Sequence, residues 1–216
     1  MRFLLAFALA LFCAAAPTPA FAATPGIVHV KLVTSAGPIV LALDARHAPK
    51  TVANFMRYVD DGRFNGTDFY RASRRKGDPA HGFVQGGIGM DARRILDSVP
   101  IEPTSKTGIR HTDGAISMAH GPDPNSAAGN FSIMVGANPS LDARGSYLGF
   151  AAFGHVVSGM DTVKRILAQP TGGGSGEMKG QMLLKRVKII RAVRMDGTPK
   201  PTGRPKPWTL GIRYGN

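Results

Sequence analysis

Apolar residues along this chain recur mostly in short runs, and at helical spacing in only a few places. Residues 27–34 are rich in β-branched side chains, with Val28, Val30 and Leu32 on one side. A Ser35-Ala36-Gly37 turn leads into a second apolar run at 39–43, and together they predict a hairpin. Pro49 opens a helix whose apolar stripe is Val52, Phe55, Met56 and Val59, ended by Asp60-Asp61-Gly62. Short strands are predicted at 68–71 and 82–85, joined by a solvated loop holding Arg74, Arg75 and Lys76. Residues 88–110 read as irregular, interrupted by Pro100 and Pro103. Further strands are predicted at 114–119, 131–135, 150–157 and 187–193, with loops at 120–129 and 138–149. A second amphipathic helix covers 159–168, with Met160, Val163, Ile166 and Leu167 on one side, and the glycine-rich stretch 171–176 reads as a mobile loop. Short strands, isolated helices and glycine-marked turns predict a mainly β chain closed into a barrel. Closure removes the sheet edges that invite aggregation, and the two helices would plug the open ends.

Both termini break this pattern. Arg2 is followed by an apolar run from Phe3 to Ala16, too short to span a bilayer, and then by Ala20-Phe21-Ala22. Residues 1–22 therefore read as a signal peptide, with a mature start at Ala23. Cys13 is the chain's single cysteine and would leave with the leader, so neither a disulfide nor thiol chemistry is expected. Residues 23–195 form the predicted domain. Residues 196–216 are a separate Pro/basic tail, in which prolines alternate with Lys200, Arg204 and Lys206, a composition suited to polyproline II or disorder. Trp208, Leu210, Ile212 and Tyr214 close the chain as an alternating apolar series: a weak strand, a patch that docks on the domain, or an unpacked end.

The 216 residues suffice for one domain with a sizeable core. The net charge of +13 favours solubility and loose attraction to anionic surfaces. The basic residues are scattered, without the aromatic interleaving of a nucleic-acid-binding face, so no nucleic-acid partner is expected. The histidines show no helical pairing with glutamate and no cysteine partners; they read as surface or strand residues, not metal ligands. There is no G-x-S-x-G elbow or phosphate loop, and nothing demands a cofactor.

Candidate chemistry concentrates in residues 67–89, where T-D-F-Y-R is followed, after a basic insertion, by G-F-V-Q-G-G. Arg71 and Gln85 sit at the ends of two predicted strands, and Gly86-Gly87 permits a sharp turn or a close chain approach. An arginine and a glutamine among apolar residues make a polar handle suited to an uncharged carbonyl ligand such as a peptide. On residue types alone, a surface arginine and an ordinary strand glutamine are the favoured reading of the stretch.

The order of motifs adds a resemblance. The helix segment T-V-A-N-F, F-Y-R with Q-G-G, G-A-I-S-M-A, P-N-S-A-A-G-N-F-S-I and F-G-H-V-V-S-G-M-D-T-V follow one another as in the cyclophilins. The resemblance runs from about Val28 to Val193 and is similar to bacterial exported members. It implies a closed eight-stranded antiparallel β-barrel capped by two α-helices, and cofactor-independent peptidyl-prolyl cis-trans isomerase activity. It makes Arg71 the catalytic arginine and Gln85 the binder of substrate backbone. Phe83, Met118, Ala119, Asn130, Phe131, Ser132, Leu141 and Phe150 are the remaining substrate-binding candidates. Asn130 stands where many members carry glutamine, Ser132 where they carry a pocket phenylalanine, Ser140 where many carry tryptophan, and Phe150 where a histidine is usual. The long insertion before Gln85 lets Phe83 match either of two pocket positions. The pocket is expected to be smaller or rearranged, refilled in part by Phe83 or Phe150. The expected partners are proline-containing polypeptides, with a monomeric protein, exported and periplasmic, that does not insert stably into a membrane after cleavage. A peptide-binding module or holdase with little catalysis is the alternative, and Ser132 is the residue that argues for it.

Overall fold

The structure, a computed structural model, describes residues 25–209. The strands are β1 (Ile27–Thr34), β2 (Gly37–Asp44), β3 (Thr67–Arg75), β4 (Asp78–Gly87), β5 (Ala115–Met118), β6 (Asn130–Val135), β7 (Ala152–Ser158), the two-residue β8 (Thr171–Gly172) and β9 (Met182–Arg194). The helices are α1 (Pro49–Asp60), the single turn α2 (Thr104–Thr107) and α3 (Met160–Leu167). The sheet order is β1-β2-β7-β5-β6-β4-β3-β9, and β9 pairs back onto β1. The result is the expected closed, eight-stranded antiparallel barrel; β8 adds only a short edge to β9.

Period-2 alternation sends Leu32, Ile39, Leu41, Leu43, Val84, Ile116, Ile133 and Phe153 inward. Helix α1 adds Val52, Phe55, Met56 and Val59 to this core, and α3 adds Val163, Ile166 and Leu167. Pro49 starts α1 without an N-cap side chain. The Glu102 carboxylate takes that role from a distance, accepting from the Lys50 and Thr51 amides at 3.1 and 2.7 Å.

Three segments differ from the sequence expectation. The predicted loop after Arg71 is instead the tip of a long β3–β4 hairpin, whose pairing runs out to Arg75 and Asp78. Its Arg74 is not solvated: the guanidinium donates to the carbonyls of Leu167 and Gln169, satisfying acceptors left open at the end of α3. The last strand begins at Met182, five residues early, because its first part pairs with β3 at Arg71 and with β8. In the tail, the Thr202 amide and hydroxyl both donate to Asp61, and Trp208 lies over Arg63 and Arg94. Leu210, Ile212 and Tyr214, like the leader 1–22, fall outside the described residues.

Candidate active site

Arg71 owes its orientation to a bulge. Phe69 is buried in the core, so simple alternation would send Arg71 inward too. The β3–β4 register, however, passes from Phe69↔Gly86 to Arg71↔Gln85, leaving Tyr70 as the extra residue. One extra residue reverses the parity of everything after it, so Arg71 faces outward and Ala72 takes the core position. The pairs Arg71↔Gln85, Gln85↔Ser132 and Ser132↔Ser117 then form one row across β3, β4, β6 and β5. Beside this row Gly86 allows close packing: a Cβ there would lie 2.8 Å from the Phe69 ring.

The Arg71 guanidinium is half-buried and held by neutral acceptors. Nη1 donates to Gln85 Oε1 at 2.9 Å, Nε to Gln181 Oε1 at 2.9 Å, and Nη2 to the Glu177 carbonyl at 3.4 Å. Its charge also sits 5.1 Å from the Phe83 ring centroid, a cation–π distance. Phe83 thus lies two residues before Gln85 on the same face, beside the guanidinium. Burial lowers the guanidinium from its ordinary value, but arginine stays protonated at neutral pH. Burial also pushes the neighbouring Tyr70 phenol up to about 12, with Gln85 opposing, so it is a neutral group here.

Beyond Gln85 runs a groove of about 940 Å³, lined by Tyr70, Ala119, Asn130, Ile88 and Met90 and reaching Arg94. Asn130 lines it but has little amide to offer a ligand. Its Oδ1 accepts from the Gly89 amide at 2.8 Å, and its Nδ2 donates to the Gly89 carbonyl at 2.9 Å. Leu141 and Phe150 are joined by a backbone hydrogen bond of 3.0 Å, and the Phe150 ring stacks at 4.2 Å on His120, which lines the groove.

Two expected contacts are corrected. Phe131 is 0 % exposed and packs near-perpendicular to Phe55, Phe64 and Phe69, so it belongs to the core. Met118, its cross-strand partner, is 1 % exposed and shares that inward face. Both follow from alternation: each is one residue away from a member of the outward row, Ser132 and Ser117.

Sequence reading missed three contributors. Gln181 lies 110 positions from Arg71 and carries no local signal. Tyr70 is the bulge. His111, taken for a surface or strand histidine, is 1 % exposed; its Nδ1 lies 2.7 Å from Asp142 Oδ1 and its Nε2 2.9 Å from Ser117 Oγ. That serine–histidine–aspartate chain has no access for a substrate. It ties the outward row to the loop that carries Leu141.

An outward arginine–glutamine pair, an aromatic beside it and a neighbouring groove that mixes apolar side chains such as Ile88 and Met90 with charged ones such as Asp68 and Arg94 suit a peptide whose reaction needs neither nucleophile nor base. Comparison with known proteins agrees. Residues 29–194 match the family described as cyclophilin type peptidyl-prolyl cis-trans isomerase/CLD. Peptidyl-prolyl cis-trans isomerase A of Dickeya dadantii is 36 % identical over 177 residues, covering 81 % of this chain and 90 % of the relative. Peptidyl-prolyl cis-trans isomerase B of Escherichia coli is 33 % identical over 144 residues, covering 64 % of this chain and 84 % of the relative. In three dimensions the chain is similar to a Cryptosporidium parvum cyclophilin type isomerase crystallised in the presence of the dipeptide Ala-Pro. There the TM-score is 0.63 at 19 % identity, with 78 % of this chain and 99 % of that one covered. The chain belongs to the cyclophilin family and is a peptidyl-prolyl cis-trans isomerase.

Proposed function

We propose that Arg71 is the catalytic residue, acting on proline-containing segments of exported polypeptides that pack against Phe83, Gln85, Ala119 and Phe150. The peptide bond resists rotation by about 18–20 kcal/mol because twisting breaks its resonance, and an uncatalysed X-Pro bond takes roughly 10–100 s to exchange at 25 °C. As the bond twists, the lone pair returns to the prolyl nitrogen. A guanidinium N–H at that nitrogen binds the twisted form better than either planar form, which is all the catalysis requires. Of the five guanidinium N–H donors of an arginine, one each on Nε, Nη1 and Nη2 is engaged. Each terminal nitrogen keeps one for the substrate. This half-engaged guanidinium, held by neutral acceptors, carries the proposal.

The test is turnover of a proline peptide by Arg71→Ala, expected to fall by at least about tenfold, since loss of a transition-state donor commonly costs 10²–10³, with unfolding unchanged. Equal turnover in mutant and parent would remove Arg71 from the mechanism. Turnover absent in both, with peptide still bound, would instead favour the holdase reading that Ser132 suggests.

The place of action is part of the same proposal. Residues 1–22 serve as a cleaved leader, residues 23–195 fold as the isomerase domain, 196–216 follow as a tail, and the mature monomer works in the periplasm. N-terminal sequencing of protein from a periplasmic extract should begin at Ala23, and sedimentation should give the monomer mass. An intact Met1 or a dimer would overturn the respective part.

A further inference from the structure

The loop between β8 and β9 does more than connect. Gly172 pairs with Met182, and the Gly180 amide donates to the Gly173 carbonyl, closing a tight loop over residues 173–180. The glycine run that read as a mobile stretch is what permits the closure: Gly174 has φ +76°, and a side chain there would collide with the Met178 carbonyl. The closed loop delivers Gln181 to Arg71. The Gln181 carbonyl accepts from the Ala72 amide at 2.9 Å, fixing its backbone beside the catalytic strand. Its Nε2 donates to the Glu177 carbonyl at 3.0 Å, which leaves Oε1 aimed at Arg71 Nε.

Resting on the catalytic reading of Arg71, we infer that Gln181 is a positioning residue for the reaction, and that the 173–181 loop is the device that orients the guanidinium. The assignment follows from which donors are spent. Nε, the donor nearest the stem, is taken by Gln181, and with Gln85 holding Nη1 the guanidinium plane is fixed about both remaining soft torsions. Its outer edge is left toward the substrate face. Without Gln181 only the terminal nitrogens would be held, Nη1 by Gln85 at 2.9 Å and Nη2 by the longer 3.4 Å contact to the Glu177 carbonyl. A neutral amide also suits the role better than a carboxylate: it holds the donor without neutralising the charge that the twisted amide needs.

Gln181→Met keeps the length of the side chain and removes the acceptor. It is expected to lower kcat for a proline peptide about tenfold, as misplacement of a reacting group does, with KM changed less than about twofold. Gln181→Glu, which restores an oxygen for Nε but adds a charge that partly neutralises the guanidinium, should recover only part of the loss. In an Arg71→Ala background, Gln181→Met should have no further effect, because the group it orients is gone. A folded Gln181→Met protein with parental kcat, or the same fold-loss in both backgrounds, would overturn the inference. The intact protein supplies a second measurement independent of how the variants fold. The Arg71 Nε–H should exchange with solvent at least about tenfold more slowly than that of exposed Arg144, as a hydrogen-bonded donor does. Equal exchange would overturn the clamp itself. Turnover retained by Arg71→Ala would instead remove the catalytic reading, and the positioning role with it, while leaving the slow exchange in place.

Discussion

Arg71 and Arg63 show two ways of holding an arginine. Arg63 is 1 % exposed, and its Nε donates to the Asp61 carboxylate at 2.7 Å. Its terminal nitrogens donate to the Arg94 and Pro205 carbonyls at 3.2 and 3.3 Å, and Trp208 lies 4.9 Å over it. Charge and donors are spent internally, and the residue ties the end of α1, the 91–97 segment and the tail together. Arg71 has only neutral acceptors, and among the described residues it makes no ion pair. Its charge is positioned but not cancelled. The two arginines differ in burial and in the type of acceptor, a carboxylate for Arg63 and neutral oxygens for Arg71.

The comparison breaks most visibly if the two arginines are exchanged in effect. Arg63→Ala leaves the buried Asp61 carboxylate without its cation and should cost about 3–5 kcal/mol of stability. Turnover per folded molecule should be unchanged, whereas Arg71→Ala should do the reverse. Urea unfolding set beside a protease-free isomerisation assay reads both quantities. A kinetic defect in Arg63→Ala would mean that the two sites are coupled through the 91–97 segment that walls the groove.

Ser132 sharpens the picture on the Arg71 side. It stands between Ser117 and Gln85 in the outward row and is only 9 % exposed, so little free space lies over it. Ser132→Phe is therefore expected to overpack the row, costing about 1–3 kcal/mol and lowering kcat/KM. A rise in kcat/KM at parental stability would show an underfilled pocket.

Trp208 tests the Arg63 side more gently. Trp208→Ala removes two cation–π contacts and should lower stability by about 1–2 kcal/mol, with turnover unchanged. A change in turnover would give the tail a part in the groove that Arg94 lines.

The smallest expected effect is a difference in pH dependence. Burial holds the His111 imidazole below its usual 6.5, with Asp142 opposing. The unfolded chain therefore takes up a proton that the folded protein refuses, so stability falls as pH drops below about 6.5 and levels off above it. Arg71 does not titrate in this range, so turnover per folded molecule should stay level between about pH 6 and 8. Denaturant midpoints across pH should lose this slope in His111→Gln. A bell-shaped turnover profile would point instead to an acid–base step in the reaction.

Much of the molecule was legible in its residues. The alternating runs, the Pro49 helix start, the glycine pair after Gln85 and the order of the motifs are local signals, and they determined the strand set and the helix stripes and singled out Arg71 and Gln85 as candidates. The tertiary structure decided which way those residues face and what holds them. A single bulge at Tyr70 reverses the parity of β3, and no propensity in F-Y-R announces it. The inward turn of Phe131 and Met118 depends on a register set across three strands. Gln181 meets Arg71, and His111 meets Asp142 and Ser117, only once the chain has closed. A hydrogen bond between distant residues leaves no trace in the spacing of either, whereas the periodicity of a strand or helix is written in consecutive side chains.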